Sequence, residues 1–163
     1  MAKVVVALGS NIEPRIEYLK KAIQEIRKIG KVISVSSLYE TKPVGFEAEV
    51  DVLNAALIVD TELFPLALLE RLKSIEANMG RVVVPGEGYT SRTIDLDIIF
   101  YDRQVLVSEQ LIIPHPSFSE REFVLFPVVE IAGEWVDPLS QLTIREILAD
   151  KKEMREPRIF AKS

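Results

Sequence analysis

The chain has 163 residues, 20 basic and 25 acidic side chains for a net charge of −5, 48% hydrophobic content, no cysteine and one histidine. These values suit one globular domain over 1–163 with a core of its own, and they exclude disulfides, thiolate nucleophiles, zinc–sulfur centres and clusters of imidazole ligands. A metal site would be built from carboxylates and other oxygens, which suits a hard ion such as magnesium, and the acidic balance argues against a general nucleic-acid binder.

The opening "MAKVVVALGSN" carries too short an apolar run for a signal peptide. Lys3–Leu8 reads instead as a buried strand that ends in the turn Gly9–Asn11. No apolar run approaches the ~18 residues of a membrane span; no membrane association and a cytoplasmic location are expected. Pro14 suits the first turn of a helix. Ile16, Leu19, Ile23 and Ile26 recur at steps of three and four, which predicts an amphipathic helix ended by Gly30. Val32–Tyr39 predicts one strand and Val52–Val59 another, with the long loop "ETKPVGFEAEVD" between them. Pro65 opens a second helix with Leu68, Leu72, Ile75 and Met79 on its inner stripe and Gly80 as its cap. A second long loop, "RVVVPGEGYTS", precedes a strand at Thr93–Tyr101. The order strand, helix, strand, strand, helix, strand is the ferredoxin-like βαββαβ pattern of the α+β class, an antiparallel sheet with the helices on one face. Extra C-terminal pieces follow: a short strand at Gln104–Val107, a rigid segment "LIIPHPSF", a helix over Glu120–Ile131 broken at Pro127, and a helix over Thr143–Leu148 with a threonine cap. The charged tail after Asp150 is expected to be loose.

In this topology the first two strands run one way and the other two return. Gly9–Asn11, Lys42–Asp51 and Arg81–Arg92 therefore gather at one end of the sheet, where Asp95 and Asp97 begin the fourth strand. Long loops in compact domains tend to be functional. Asp95 and Asp97 share one face of that strand, about 6.5–7 Å apart, and repel each other unless a cation or water lies between them. A solvated sheet face explains such a pair as well as a magnesium site does. Ile99 and Tyr101, expected to continue that face, make a fully wet one less natural.

Arg81 and Arg92 bracket the second loop and Arg121 follows; guanidinium groups beside a metal site suit phosphate, although any one alone is an ordinary surface residue. Gly86–Glu87–Gly88 lacks the third glycine and the lysine of a phosphate-loop fingerprint. His115 lies between two prolines that restrict its backbone, and the bland reading is a rigid turn. Asn54, inside an apolar strand, needs partners, either backbone or a ligand edge. Lys73 and Glu76, at i,i+3 off the apolar stripe, are by default a solvent-exposed ion pair.

Six stretches, "ALGSN", "SSLYETKPVG", "DVLNAAL", "IEANMGR", "SRTIDLDIIFYD" and "LIIPHPSFSEREFVLFPVVEIA", keep the order and spacing of a known family from about residue 3 to residue 137. On them the chain resembles the 6-hydroxymethyl-7,8-dihydropterin pyrophosphokinases of folate biosynthesis. The resemblance implies transfer of diphosphate from ATP to the pterin hydroxymethyl group with release of AMP, served by two magnesium ions. It implies that Asp95 and Asp97 ligate both ions and that Arg81, Arg92, Asp95 and Asp97 form the catalytic set. Glu76, Arg81, Arg92, Ile98, His115 and Arg121 match positions around ATP. Thr41, Pro43, Val44, Gly45, Asn54, Asp95 and Phe123 match the pterin pocket. The substrates are then small molecules and the chain is expected to act as a monomer. It departs from the usual pattern at Tyr89–Thr90–Ser91, which lacks a proline, and at Val83, Gln110 and Val52, changes that bear on affinity more than on reaction type. Two other readings of the same fold compete: a magnesium-dependent nucleotidyl transferase, and a non-catalytic small-molecule module, which would need no paired arginines.

Overall fold

Ala2–Ser10 forms strand β1, whose valine-rich middle is covered on both sides. That is why it reads as a continuous apolar run rather than an alternating one. Helix α1 (Arg15–Ile26) follows, then strands β2 (Lys31–Val35), β3 (Leu38–Thr41) and β4 (Val52–Thr61), helix α2 (Pro65–Asn78), strands β5 (Arg81–Val83) and β6 (Thr90–Arg92), and strand β7 (Asp95–Tyr101). The computed structural model describes residues 1–42, 50–83 and 90–162, with backbone only at 81–83 and 90–92. The C-terminal part adds β8 (Leu106–Val107), β9 (Ile112–Ile113), helices α3 (Glu122–Ala132) and α4 (Ile144–Ala149), and β10 (Arg158–Ala161).

The main sheet runs β10–β3–β4–β1–β7, with β2 also on β4, and its pairings are antiparallel. This is the ferredoxin-like order expected from the sequence. Leu19, Ala22 and Ile26 of α1 and Leu68, Leu72 and Ile75 of α2 pack on one face with Val4, Val6 and Leu8. The other face carries Val5, Ala7 and Ala56 under Val124, Leu125 and Val128 of α3 and Ile144 and Ile147 of α4. The C-terminal pieces thus complete a three-layer core. Among the described residues no helix is long and apolar enough to cross a membrane.

Several local expectations are corrected. The strand predicted over Val32–Tyr39 is two strands laid along successive parts of β4. Between them the Ser36 N–H donates to the Ala56 carbonyl at 2.8 Å and Ser36 Oγ accepts from the Ala56 N–H at 2.9 Å, so a side chain replaces a ladder group where the chain kinks. The loop predicted over Arg81–Ser91 has paired ends: Arg81 lies opposite Arg92 in a small antiparallel ladder. Helix α3 runs unbroken through Pro127; the packing of its apolar side on the sheet outweighs the one backbone bond that proline forfeits. The tail is not loose throughout, because β10 joins β3 as an edge strand. The C-terminal threonine cap is as expected, and Thr143 and Glu146 form a full capping box.

Gly80 ends α2 region with φ +91°, the left-handed conformation that glycine adopts without strain. Gly30 does not terminate α1, whose last helical residue is Ile26. It is needed because a Cβ there would lie 2.4 Å from the Asp60 carbonyl oxygen and 2.7 Å from Val59 Cγ2. Backbone cannot rotate aside, so Gly30→Ala is expected to destabilise the fold by about 1–3 kcal/mol, read as a lowered urea midpoint with an unchanged m-value.

Candidate active site

The register of β1 builds the site. Gly9 lies opposite Asn54 of β4 on one side and Asp95 of β7 on the other, and Ala7 lies opposite Asp97. The ends of three strands therefore meet at one edge of the sheet, as the topology predicted. A cavity of about 370 Å³ opens there, lined among others by Asp95, Asp97, Asn54, Thr41, Arg121 and Phe123.

Asp95 and Asp97 both open to the cavity while Leu96 and Ile98 between and after them are buried. The expected alternation holds up to this point and then reverses. Val6 pairs with Ile98 but Val5 pairs with Phe100, so Ile99 is the extra residue of a β-bulge. Ile99 and Phe100 consequently both pack under α3, and Tyr101 returns to the α1–α2 side, contrary to its expected place on the aspartate face. The bulge has a use. The carbonyl of Ile99 accepts the His115 N–H at 3.0 Å, which ties the segment after β9 to the strand that carries the aspartates.

The electrostatics follow from this packing. Although Asp97 opens to the cavity, the protein around it raises its pKa above the ordinary carboxylate value. Burial is the leading cause; Asp95 pushes the same way, while His115, Lys73 and Arg121 oppose it. Burial also lowers the His115 pKa, assisted by Arg121 and opposed by Asp97. The ring is therefore neutral near pH 7. Its Nδ1 accepts the Ser117 N–H at 3.1 Å, which leaves Nε2 as the protonated nitrogen.

Glu76 is not half of a solvent-exposed ion pair. Its side chain is 2% exposed against 49% for Lys73, 3.4 Å away. Its Oε2 accepts the backbone N–H of Leu96 at 2.8 Å, so a buried carboxylate grips the outer edge of β7 between the two aspartates. The Ile98 side chain is buried in the core beneath α1 and α2, leaving any contact with a nucleotide to its backbone. On the other wall, Asn54 Nδ2 donates to Thr41 Oγ1 at 2.8 Å and to the Val52 carbonyl at 3.3 Å. The amide is thereby oriented by its own strand pair. The Arg121 guanidinium lies 5.8 Å from the centre of the Phe123 ring. Pro43, Val44 and Gly45 lie outside the described residues, and Arg81 and Arg92 are described by backbone alone.

The cavity is also lined by Ser10, Asn11 and Lys42, which the topology placed at this end without a role for their side chains, and by Glu120 and Glu122, which the sequence reading did not single out. Ser10 Oγ donates to the Thr93 carbonyl at 2.6 Å, and Thr93 Oγ1 donates to the carbonyls of Met79 and Gly80 at 2.8 and 3.0 Å. These bonds join the ends of β1 and α2 to the start of β7. Nothing in the spacing of Glu120 and Glu122 marks them out.

Comparison with solved structures places this architecture in a class. The chain superposes on the crystal structure of wild-type Plasmodium falciparum HPPK-DHPS with a TM-score of 0.76 over 92% of this chain and 44% of that one, at 17% identity, a likeness that shows a shared fold. Sequence comparison carries the assignment further. A family model described as 7,8-dihydro-6-hydroxymethylpterin-pyrophosphokinase matches residues 5–133, and the chain belongs to that family. It is 40% identical to the 2-amino-4-hydroxy-6-hydroxymethyldihydropteridine pyrophosphokinase of Haemophilus influenzae, covering 87% of this chain and 89% of the relative. It is 44% identical to the Bacillus subtilis protein of the same name, over 79% and 77%. It is also 45% identical to the folic acid synthesis protein fol1 of Pneumocystis carinii, of which it spans only 19%. The family consists of pyrophosphokinases that use ATP as co-substrate. The nucleotidyl-transferase and non-catalytic readings are set aside by this membership.

A carboxyl whose pKa rises on folding opposes the folded state once it ionises: its cost is absent at low pH and fully present above the folded pKa. Asp97→Asn is therefore expected to raise Tm at neutral pH in the absence of metal and to remove a loss of stability that the unsubstituted protein shows as pH rises through the raised Asp97 pKa. Thermal melts across a pH series measure this. The same variant is expected to lose roughly 100-fold or more in turnover.

Proposed function

We propose that this chain performs its family's reaction in the cavity between Asp95–Asp97 and Asn54–Phe123: transfer of the diphosphate of ATP to the hydroxymethyl oxygen of 6-hydroxymethyl-7,8-dihydropterin. The observation that carries the reading is the pairing of two exposed carboxylates at one wall with an oriented amide and an aromatic ring at the other, in one cavity large enough for a flat bicyclic ligand. We read the chain as a single domain that works as a monomer in the cytoplasm.

The donor set fits magnesium. Two carboxylates sit side by side, burial and mutual repulsion disfavour charge on Asp97, and no group of three or more metal-binding side chains gathers among the described residues. Asp95 and Asp97 would thus leave most positions around an ion to water and to substrate oxygens, the arrangement magnesium accepts; two ions shared by the pair are part of the proposal. Bound there, the metal would supply Lewis-acid neutralisation of phosphate charge.

The chain's own residues do the rest. Phe123 stacks on the pterin and Asn54, its Nδ2 engaged with Thr41, turns its Oδ1 to the ligand's N–H edge; Thr41 and Asp95 complete that wall, with Pro43, Val44 and Gly45 beyond it. Arg81, Arg92 and Arg121 hold phosphate oxygens with their planar forks, and neutral His115 donates from Nε2. Leu96 gives its N–H to Glu76 at the outer edge of β7; by alternation Ile98 presents its backbone to the same edge, where it and the Glu76 region meet the nucleotide. In the reaction the hydroxymethyl oxygen forms a bond to the β-phosphorus of ATP, the bond from that phosphorus to the bridging oxygen of the α-phosphate breaks, the hydroxyl proton leaves, and AMP departs. Little bond-making falls to the protein, so positioning and charge neutralisation dominate.

Nucleotide products resolved after incubation with ATP, magnesium and the pterin test this. AMP is expected in equal amount to the pterin diphosphate; ADP as the product, or AMP formed without pterin, would sink the proposal. Replacing Arg92 with alanine is expected to lower kcat by about 100-fold while pterin affinity changes little, and a matching loss of pterin binding in titration calorimetry would contradict a phosphate-directed role.

A further inference from the structure

Arg15 takes no part in the chemistry above and does not line the cavity, yet it is among the most covered charged groups of the chain. Its side chain is 9% exposed. Nε donates to Glu13 Oε1 at 2.7 Å, and Nη1 donates to Glu40 Oε2 at 2.8 Å and to the Asp51 carbonyl at 2.7 Å. The ring of Phe160 from β10 covers the guanidinium, 5.3 Å from Cζ, and Arg158 of the same strand lies 3.6 Å from Glu40 Oε1. One guanidinium therefore joins four parts of the chain: the turn before α1, the end of β3, the residue preceding β4, and the C-terminal edge strand.

The joined residues are next to the site. Glu40 immediately precedes Thr41, and Asp51 immediately precedes Val52; Thr41 and Val52 face each other in the β3–β4 ladder. Thr41 Oγ1 and the Val52 carbonyl are the two acceptors that orient the Asn54 amide, and Thr41, Val52 and Asn54 all line the cavity. A buried ion network is a poor source of net stability, since desolvation offsets attraction. Its planar fork is, however, well suited to fixing several partners at once, which a lysine ammonium cannot do in the same geometry.

We propose that Arg15 is a positioning residue for the pterin half of the site: it clamps the facing ends of β3 and β4 so that Thr41 and Val52 hold Asn54 in register, and β10 supports it by covering the guanidinium with Phe160. The inference rests on the reading that the Asn54 wall receives the pterin. It gives the C-terminal strand, which lies beyond the residues matched by the family model, a part in substrate recognition.

The test uses the full chain and steady-state kinetics with each substrate varied, alongside thermal melts. Arg15→Met is expected to raise the KM for pterin about tenfold and to leave the KM for ATP within about twofold. Arg15→Lys is expected to fall between, because charge is kept and the fork is lost. Phe160→Ala is expected to raise the pterin KM about two- to threefold through the lost cation–π contact. A folded Arg15→Met protein with unchanged pterin KM, an equal rise in both KM values, or full rescue by lysine overturns the proposal. If Arg15→Met does not fold, Phe160→Ala decides: an unchanged pterin KM in that variant overturns it. Failure of the unsubstituted chain to make AMP from ATP and the pterin would instead overturn the functional reading beneath it.

Discussion

Two carboxylates on successive same-face positions of one strand repel each other, and a folded core offers them no place. The molecule meets this constraint by putting Asp95 and Asp97 where three strand ends converge on a cavity. Much of the surrounding structure serves to hold the strand that bears them. On its inner side β7 pairs with β1. On its outer edge the buried Glu76 carboxylate takes the Leu96 N–H. At its entrance Ser10 and Thr93 link it to β1 and to the end of α2. The pair remains electrostatically costly, as the raised Asp97 pKa indicates. Such a cost is what the proposed cation and phosphate site would impose on the substrate-free protein.

The face beneath α3 imposes a second constraint. A plain ferredoxin-like unit leaves one sheet face bare, and here Val5, Ala7, Ala56, Ile99 and Phe100 would be exposed on it. The C-terminal helices cover that apolar surface. In doing so they bring Arg121 and Phe123 to the cavity rim at the start of α3. Stability and the lining of the cavity are thus met by one element: burying the rest of the helix places its first turn. The Ile99 bulge works similarly, since the residue that breaks the alternation also supplies the carbonyl that fixes His115.

Much of the site was legible beforehand because period and order are local properties. Alternation alone put Asp95 and Asp97 on one face, and the βαββαβ order alone put Gly9–Asn11, Lys42–Asp51, Arg81–Arg92 and the start of β7 at one end. Glu76 shows the limit. Helical spacing assigned it to the polar side of α2, but whether that side meets water or the edge of β7 depends on how the helix is laid on the sheet. Tyr101 failed for a comparable reason, since a one-residue bulge inverts a strand's facing pattern and leaves no trace in composition. Arg15 gave no signal at all, because its partners lie 2, 25, 36 and, through Phe160, many more residues away.

By itself the sequence determined the fold class, the strand that carries the carboxylates, the hard-ion chemistry that a chain without cysteine and with one histidine permits, and the family resemblance. These depend on residue type and short-range periodicity, which a linear chain displays directly. The tertiary structure alone decided which buried groups hold that strand, how the C-terminal strand is linked through Arg15 to the ends of β3 and β4 beside Asn54, and what burial does to the ionisation of Asp97 and His115. Those properties arise from desolvation and from contacts between distant segments, and neither exists until the layers have packed.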